Sequence, residues 1–319
     1  MPKCFLGIDT SCYTTSVAVV DEKSGLLADE RIVLTVAKGA RGLRQSEMVF
    51  QHTKNLPVLI ERLKNIFVSY DVAAVTVTNQ PRATEESYMP AFLPGIGLAK
   101  ALSAVLGVPL YMISHQHNHI LAGLWAASER VVRQAVVMHL SGGTTEVVVV
   151  DDVFGTQPRV EIIGGTNDIS AGQFIDRLGV ELGLDFPAGL QLEQLAASGE
   201  IIERFPVRLF SNCVSFSGYD TKFAALVKTN IYSKADIAAT AQDVIARTLA
   251  KLARKVMLDK QINTLLLVGG VASNSYIVDA IYRQIVDIDK KALINTNAKF
   301  CPDNAAGAAF YAQIRTLAV

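Results

Sequence analysis

The sequence predicts an α/β protein of two lobes, built by duplication of one strand–turn–strand unit around a shared cleft. Three observations predict it. Phe5-Leu-Gly-Ile-Asp-Thr-Ser-Cys-Tyr-Thr-Thr-Ser-Val-Ala-Val-Val-Asp21 has an apolar run, a polar turn rich in Thr and Ser, and a second apolar run ending in an acid. Val136-Val-Met-His-Leu-Ser-Gly-Gly-Thr-Thr-Glu-Val-Val-Val-Val-Asp151 repeats that plan about 130 residues later, and β-branched runs around a tight turn read as hairpins. Finally, 319 residues suit two domains. With half of them apolar and only 19% charged, disordered, fibrous and low-complexity classes are excluded.

The remaining elements follow in chain order. Residues 45–65 carry Val49, Leu56, Leu59, Ile60 and Leu63 at helical spacing, and residues 72–77 alternate as a strand does. Residues 94–106 read as a helix and 109–113 as a short strand. After the second hairpin, helices are predicted at 170–183, 190–197, 220–227 and 233–258. A buried strand at 263–268 runs into Gly269-Gly270 and a further helix, and a last helix covers 303–317. Linkers rich in Pro, Gly or Ser are absent, so short crossings join the lobes. The first lobe is expected at 1–108 with the returning helix 303–319, and the second at 109–302.

Thirty basic residues cancel thirty acidic ones, so DNA is not an expected partner and any RNA contact needs a local patch. Lys38-Gly-Ala-Arg41-Gly-Leu-Arg44 is the candidate. Cys4, Cys12, Cys213 and Cys301 lie far apart without a CxxC pair, which reads as reduced thiols in a cytoplasmic protein. The most membrane-like stretch, 90–113, is interrupted by Lys100 and by Pro94, Gly95, Gly97, Gly107 and Pro109, so no membrane partner is expected.

Three constellations carry chemistry. In Ser114-His-Gln-His-Asn-His119, a helix capped by Ser114 puts His115 and His119 at i and i+4 on one face. His117 then points about 200° away from His115. Two imidazoles at that spacing suit zinc or iron, and a carboxylate from elsewhere would complete a three-ligand site. No Glu follows the first His, which disfavours a zinc protease. Ser141-Gly142-Gly143-Thr144-Thr145 sets two permissive residues and three hydroxyls between strands, where backbone N–H groups reach phosphate oxygens. Gly269-Gly270 ends a buried strand and opens a helix near Asn274, a junction that admits a nucleotide. Lastly, Cys301-Pro-Asp-Asn304 opens the final helix. Asp303 is either its N-cap or, if that helix returns to the cleft, the third metal ligand.

These motifs resemble, in order, those of the TsaD family of tRNA threonylcarbamoyladenosine transferases, once labelled glycoprotein endopeptidases. The matching segments are Gly7-Ile-Asp-Thr-Ser-Cys12, His115-xxx-His119, Ser141-Gly-Gly-Thr-Thr145, Ala171-Gly-Gln-Phe-Ile-Asp176, Ser215-Phe-Ser-Gly218, Gly269-Gly-Val-Ala-Ser-Asn274 and Cys301-Pro-Asp-Asn304. The resemblance implies the actin, hsp70 and sugar-kinase fold, a metal on His115, His119 and Asp303, and nucleotide contacts from Ser141 to Thr145, Asp176, Gly189 and Asn274. It implies transfer of threonylcarbamoyl from its adenylate to the exocyclic amine of the adenosine beside the tRNA anticodon. A partner of like fold and an ATPase partner are implied as well.

The chain departs from the family's pattern at three places. Tyr13-Thr14 replace an Asp-Glu pair suited to taking the amine's proton. Thr144 replaces a His or Asn, and the turn after Pro187 reads Ala188-Gly189-Leu190. No catalytic residue is assigned. The alternatives are a carbamoyl or acyl transferase with another acceptor, or a nucleotide-binding regulatory scaffold.

Overall fold

The two predicted hairpins each seed one mixed sheet. The computed structural model describes residues 1–11, 13–36, 42–82, 87–127, 132, 134–153, 159–288, 293–294 and 298–317. Cys12 and most of the basic segment 38–44 lie outside them.

The first sheet holds β1 (Lys3–Asp9), β2 (Thr14–Asp21), β3 (Leu26–Val33), β4 (Asp71–Gln80) and β5 (Leu110–Ser114), in the order β3-β2-β1-β4-β5. Antiparallel pairing joins β1 to β2 and β2 to β3, and parallel pairing joins β1 to β4 and β4 to β5. Helices α1 (Gln45–Arg62) and α2 (Lys64–Ser69) connect β3 to β4, and α3 (Leu93–Leu106) connects β4 to β5. Because β5 completes this sheet, the first sheet runs on to Ser114, past the crossing expected near residue 108. Gly107, at φ 66°, ends α3 in the left-handed conformation and turns the chain straight back into β5.

Helix α4 (His115–Ala126) then leads to the second sheet. That sheet contains β6 (Gln134–Leu140), β7 (Thr145–Asp151), β8 (Arg159–Thr166), β9 (Cys213–Val214), β10 (Leu265–Val268) and β11 (Leu293–Ile294), ordered β11-β10-β6-β7-β8-β9. Here β6, β7 and β8 are antiparallel neighbours, while β10 runs parallel to both β6 and β11. With β9 as an added edge, β8-β7-β6-β10-β11 reproduces β3-β2-β1-β4-β5, so the duplication extends through five strands. Between these strands lie α5 (Ala171–Glu181), α6 (Gly189–Ala196), α7 (Ser217–Thr229), α8 (Lys234–Lys260) and α9 (Ser275–Ile285), and α10 (Ala306–Leu317) ends the fold.

Helix α10 is the piece that joins the two halves. Ala306, Ala309 and Ala312 pack on Phe5, Ala18, Val20 and Ala74 of the first sheet. Ala308, Phe310 and Tyr311 meet Ile120, Leu121 and Leu124 of α4 and Val137, Val148 and Val268 of the second sheet. Small residues permit that approach. A Cβ on Gly307 would lie 2.0 Å from the Asn118 carbonyl oxygen, and one on Gly7 would lie 2.3 Å from that of Ala305. Asn118 fastens the contact, its Nδ2 donating to the Asn304 carbonyl and its Oδ1 accepting from Ala308 N–H at 2.7 Å. Among the described residues no helix is long and apolar enough to cross a membrane. Burial pushes the Cys4 thiol up to about 12, with Asp71 adding to it, and the Cys301 thiol up to about 11, so neither is a ready nucleophile.

Candidate active site

The site grows from the junction of β5 and α4. Ser114 is extended, and its hydroxyl accepts from His117 N–H at 3.1 Å, so the chain turns from strand to helix immediately before His115. One turn later His119 comes onto the same face, with its Nε2 3.0 Å from His115 Nε2. Asp303 Oδ1 lies 3.5 Å from His115 Nε2 and 3.4 Å from His119 Nε2. Its carboxylate is free to face the histidines because Asn304 Oδ1, not Asp303, accepts from Ala306 N–H at the start of α10. His117 points elsewhere, its Nε2 3.4 Å from the Val153 carbonyl and its ring against Tyr311, and burial lowers it to about 4.

Two residues that the sequence reading left out complete the cluster. Asp9, at the end of β1, is fully buried and bonded to His115 Nδ1 at 3.1 Å. It also accepts from Thr78 Oγ1 at 2.6 Å, from Ser11 Oγ at 2.9 Å and from Ser11 N–H at 3.1 Å. His139, on β6, brings its ring to 5.1 Å from His119 and 6.3 Å from His115, centroid to centroid. The signal for it was present in the sequence as a lone polar residue in Val136-Val-Met-His-Leu140, where the pattern asks for an apolar one.

Electrostatics separates the three rings. Burial opposes a charge on His115, yet the Asp9 and Asp303 carboxylates outweigh it and raise the group to about 10. His119 is lowered, first by burial and then by His115, and His139 is pushed well below the usual imidazole range by burial and by both neighbours. Burial works against the Asp303 carboxylate, but the two histidines beside it hold it far below the normal carboxylate range.

The residues fit a divalent metal. A ligating imidazole commonly donates its second N–H to a carboxylate, as the His115–Asp9 contact allows. His119 Nδ1 and both nitrogens of His139 are buried without hydrogen-bond partners among the described residues, a state that costs roughly 1–3 kcal/mol per group when nothing compensates. Nitrogen donors from His115 and His119 with an oxygen donor from Asp303 match zinc or iron.

The glycine turn adjoins this cluster because β6 delivers both. Past His139 and Leu140, Ser141 N–H donates to the Thr144 carbonyl at 2.8 Å and Thr144 N–H to Ser141 Oγ at 3.1 Å. Ala171 N–H donates to Thr145 Oγ1 at 2.9 Å, and Ser170 Oγ to the Gly142 carbonyl at 2.9 Å, so the start of α5 clamps the turn. Asp176, further along α5, lies against Gly142, with its Oδ2 3.7 Å from where a Cβ would be. Its Oδ1 accepts from Ala188 N–H at 2.8 Å, next to Gly189. A Cβ on Gly143, Gly189 or Gly270 would meet nothing within 4 Å, so these positions border open space. Asn274 is committed otherwise, as its Oδ1 caps α9 through Ile277 N–H and its Nδ2 donates to Gln242. The Ser215-Phe-Ser-Gly218 motif is spent on Asp168, which accepts from Ser215 Oγ and Ser217 Oγ at 2.5 Å each and from Phe216 N–H at 2.9 Å. Tyr13 sets its ring edge-on to Phe186 at 5.4 Å, linking the first hairpin turn to the loop before α6.

Asp176 provides a pH test. Burial lifts its carboxyl to about 6, against the opposing Ala188 N–H bond. A carboxyl of about 4 in the unfolded chain binds fewer protons than this one between pH 4 and 6. Ionising Asp176 therefore costs stability as pH rises through that window, and the cost is complete above it. Asp176→Asn is expected to be more stable than the wild type at pH 8, with the difference vanishing toward pH 4 in denaturant melts. An equal difference at both pH values would contradict it.

The family model TsaD, tRNA N6-adenosine threonylcarbamoyltransferase, matches residues 36–310. A protein of that name from Thermosipho melanesiensis is 32% identical over 94% of this chain and 91% of its own. One from Carboxydothermus hydrogenoformans is 31% identical over 96% and 90%. Among solved structures, HypF of T. kodakarensis superposes with a TM-score of 0.65 at 16% identity, over 99% of this chain and 48% of that one. A ROK family glucokinase from Streptomyces griseus, in complex with glucose and AMPPNP, gives 0.54 at 12% identity over 97% and 99%. These structures establish the two-lobed actin, hsp70 and sugar-kinase type of fold. The family match over most of the length and the relatives above 30% identity establish more, and the chain belongs to the TsaD family of tRNA N6-adenosine threonylcarbamoyltransferases.

Proposed function

We propose that the protein transfers the threonylcarbamoyl group from threonylcarbamoyl-adenylate to the exocyclic amine of the anticodon-adjacent adenosine in tRNA, with a metal on His115, His119 and Asp303. The observation that carries this reading is the shared strand end. β6 presents at His139 an imidazole without a hydrogen-bond partner among the described residues and, two residues on, the Ser141 to Thr145 turn, so a metal and an adenylate phosphate would be neighbours.

In this reading the Gly142 and Gly143 N–H groups, left over from the bonds that Ser141 and Thr144 N–H make within the turn, donate to phosphate oxygens, and Asp176 accepts hydrogen bonds from hydroxyls of ribose or of the threonyl group. Gly189 and the backbone near Asn274 border the nucleotide. His115, His119 and Asp303 would hold the metal, which when bound would supply Lewis-acid stabilisation of the charge that develops as adenylate leaves. The amine nitrogen bonds to the carbamoyl carbon, the bond from that carbon to the adenylate oxygen breaks, and the amine's proton passes to the departing adenylate or to water. Tyr13 and Thr14 offer no carboxylate for that proton. With a net charge of zero, the chain relies on partners, one of like fold and one ATPase, for much of the attraction to tRNA. The lobes we propose divide near 108 and 303, apart from β5, and the setting is cytoplasmic.

Tyr13 favours one second reading, a carbamoyl or acyl transferase with another acceptor, because at the sequence position of the family's acidic pair it offers an aromatic ring that packs on Phe186. The deciding experiment deletes the gene and measures threonylcarbamoyladenosine in bulk tRNA by mass spectrometry. Loss that the wild-type gene restores is expected. Unchanged modification, with a second family member in the genome, would replace the tRNA reading with the second one.

A further inference from the structure

We propose that His139 is a ligand of the metal centre, so that the centre offers three imidazoles and one carboxylate and takes zinc or ferrous iron in preference to magnesium. The inference deepens the metal reading above and rests on it. Its first support is position. In β6 the pleat puts His139 on the same face as Val137, which packs with Ile120, Leu121 and Leu124 of α4. An apolar side chain is what that face asks for, and an imidazole there needs polar partners.

None is supplied by the described residues. Neither ring nitrogen of His139 has a hydrogen bond among the described residues, whereas the large majority of buried side-chain polar atoms are bonded. The cross-strand carboxylate opposite, Glu146, is engaged by Arg82 and by Gln116 Nε2, the latter at 3.1 Å. What His139 does face is His115 and His119, and one nitrogen from each of the three lies within 4.8 Å of the others.

The ring is also held in place. Gly269 adopts φ 93°, and a Cβ there would come 3.1 Å from His139 Cδ2 and 2.5 Å from the Leu140 carbonyl oxygen. The bare backbone at the end of β10 thus forms one wall of the imidazole's slot. Three borderline nitrogen donors converging on one point disfavour magnesium, which prefers oxygen and retains water.

The test titrates chelator-stripped, full-length protein with zinc against a competing indicator. His139→Leu is expected to weaken zinc binding roughly a hundredfold, and the cobalt-loaded variant to show altered visible ligand-field bands. His139→Gln, closer in polarity, carries the same expectation and is measured alongside. Without metal, His139→Leu is expected to melt at or above the wild-type midpoint, and added zinc to raise that midpoint less than it raises the wild type's. Zinc affinity and cobalt spectrum unchanged in both variants would overturn the proposal. If His115→Ala in the same titration still loses zinc, the metal reading survives that result; if it too binds normally, both fall.

Discussion

His115→Ala is expected to leave the purified protein without bound metal and to slow threonylcarbamoyl transfer by roughly a thousandfold, the equivalent of several kcal/mol of lost charge stabilisation. The reason is geometric. His115 Nε2 lies within 3.5 Å of both His119 Nε2 and Asp303 Oδ1, so removing its ring takes out one of three mutually adjacent donors and the one that Asp9 orients. His119, Asp303 and the proposed donor His139 remain, and the first two, 3.4 Å apart, pair with each other instead. Elemental analysis of the purified variant is the check. Metal content equal to that of the wild type would contradict the assignment of these residues.

Asp9→Ala is expected to act on stability first, by about 3–5 kcal/mol in a denaturant melt, the range for removing one partner from a buried charged network. Asp9 is 0% exposed and gathers Ser11 N–H, Ser11 Oγ, Thr78 Oγ1 and His115 Nδ1. All of these lose their acceptor at once. Asp9→Asn keeps one acceptor oxygen and is expected to lose less stability, but to bind metal about 10- to 100-fold more weakly, because His115 then lacks the carboxylate that orients its ring. A variant that unfolds normally but binds metal as the wild type does would assign Asp9 to packing alone.

These residues also mark how far the sequence could be read. The hairpins were legible because Val- and Ile-rich runs flank a polar turn, but their extension to a repeat of five strands was not. Strand β3 was not legible, since Leu-Leu-Ala-Asp-Glu-Arg-Ile-Val carries three consecutive charges along a half-buried edge. The i, i+4 spacing places His115 and His119 on one face without further information. Their meeting with Asp303 depends on α10 lying against α4, which Gly307 and Asn118 make possible. Asp9 and His139 enter only through tertiary contacts, with separations of 106 residues for Asp9 and His115, and no spacing rule connects them. Asn274, expected as a nucleotide contact, also caps α9 through Ile277 N–H, a role its motif alone does not reveal.

One measurement bears most directly on the central claim. Purified protein, with its partners, is given labelled threonylcarbamoyl-adenylate and unmodified tRNA, and the nucleosides are analysed by mass spectrometry before and after chelation and after zinc or ferrous iron is restored. The account predicts labelled threonylcarbamoyladenosine that disappears on chelation and returns with the metal. Labelled nucleoside formed equally well without metal, or none formed under any condition while the adenylate is bound, would contradict it.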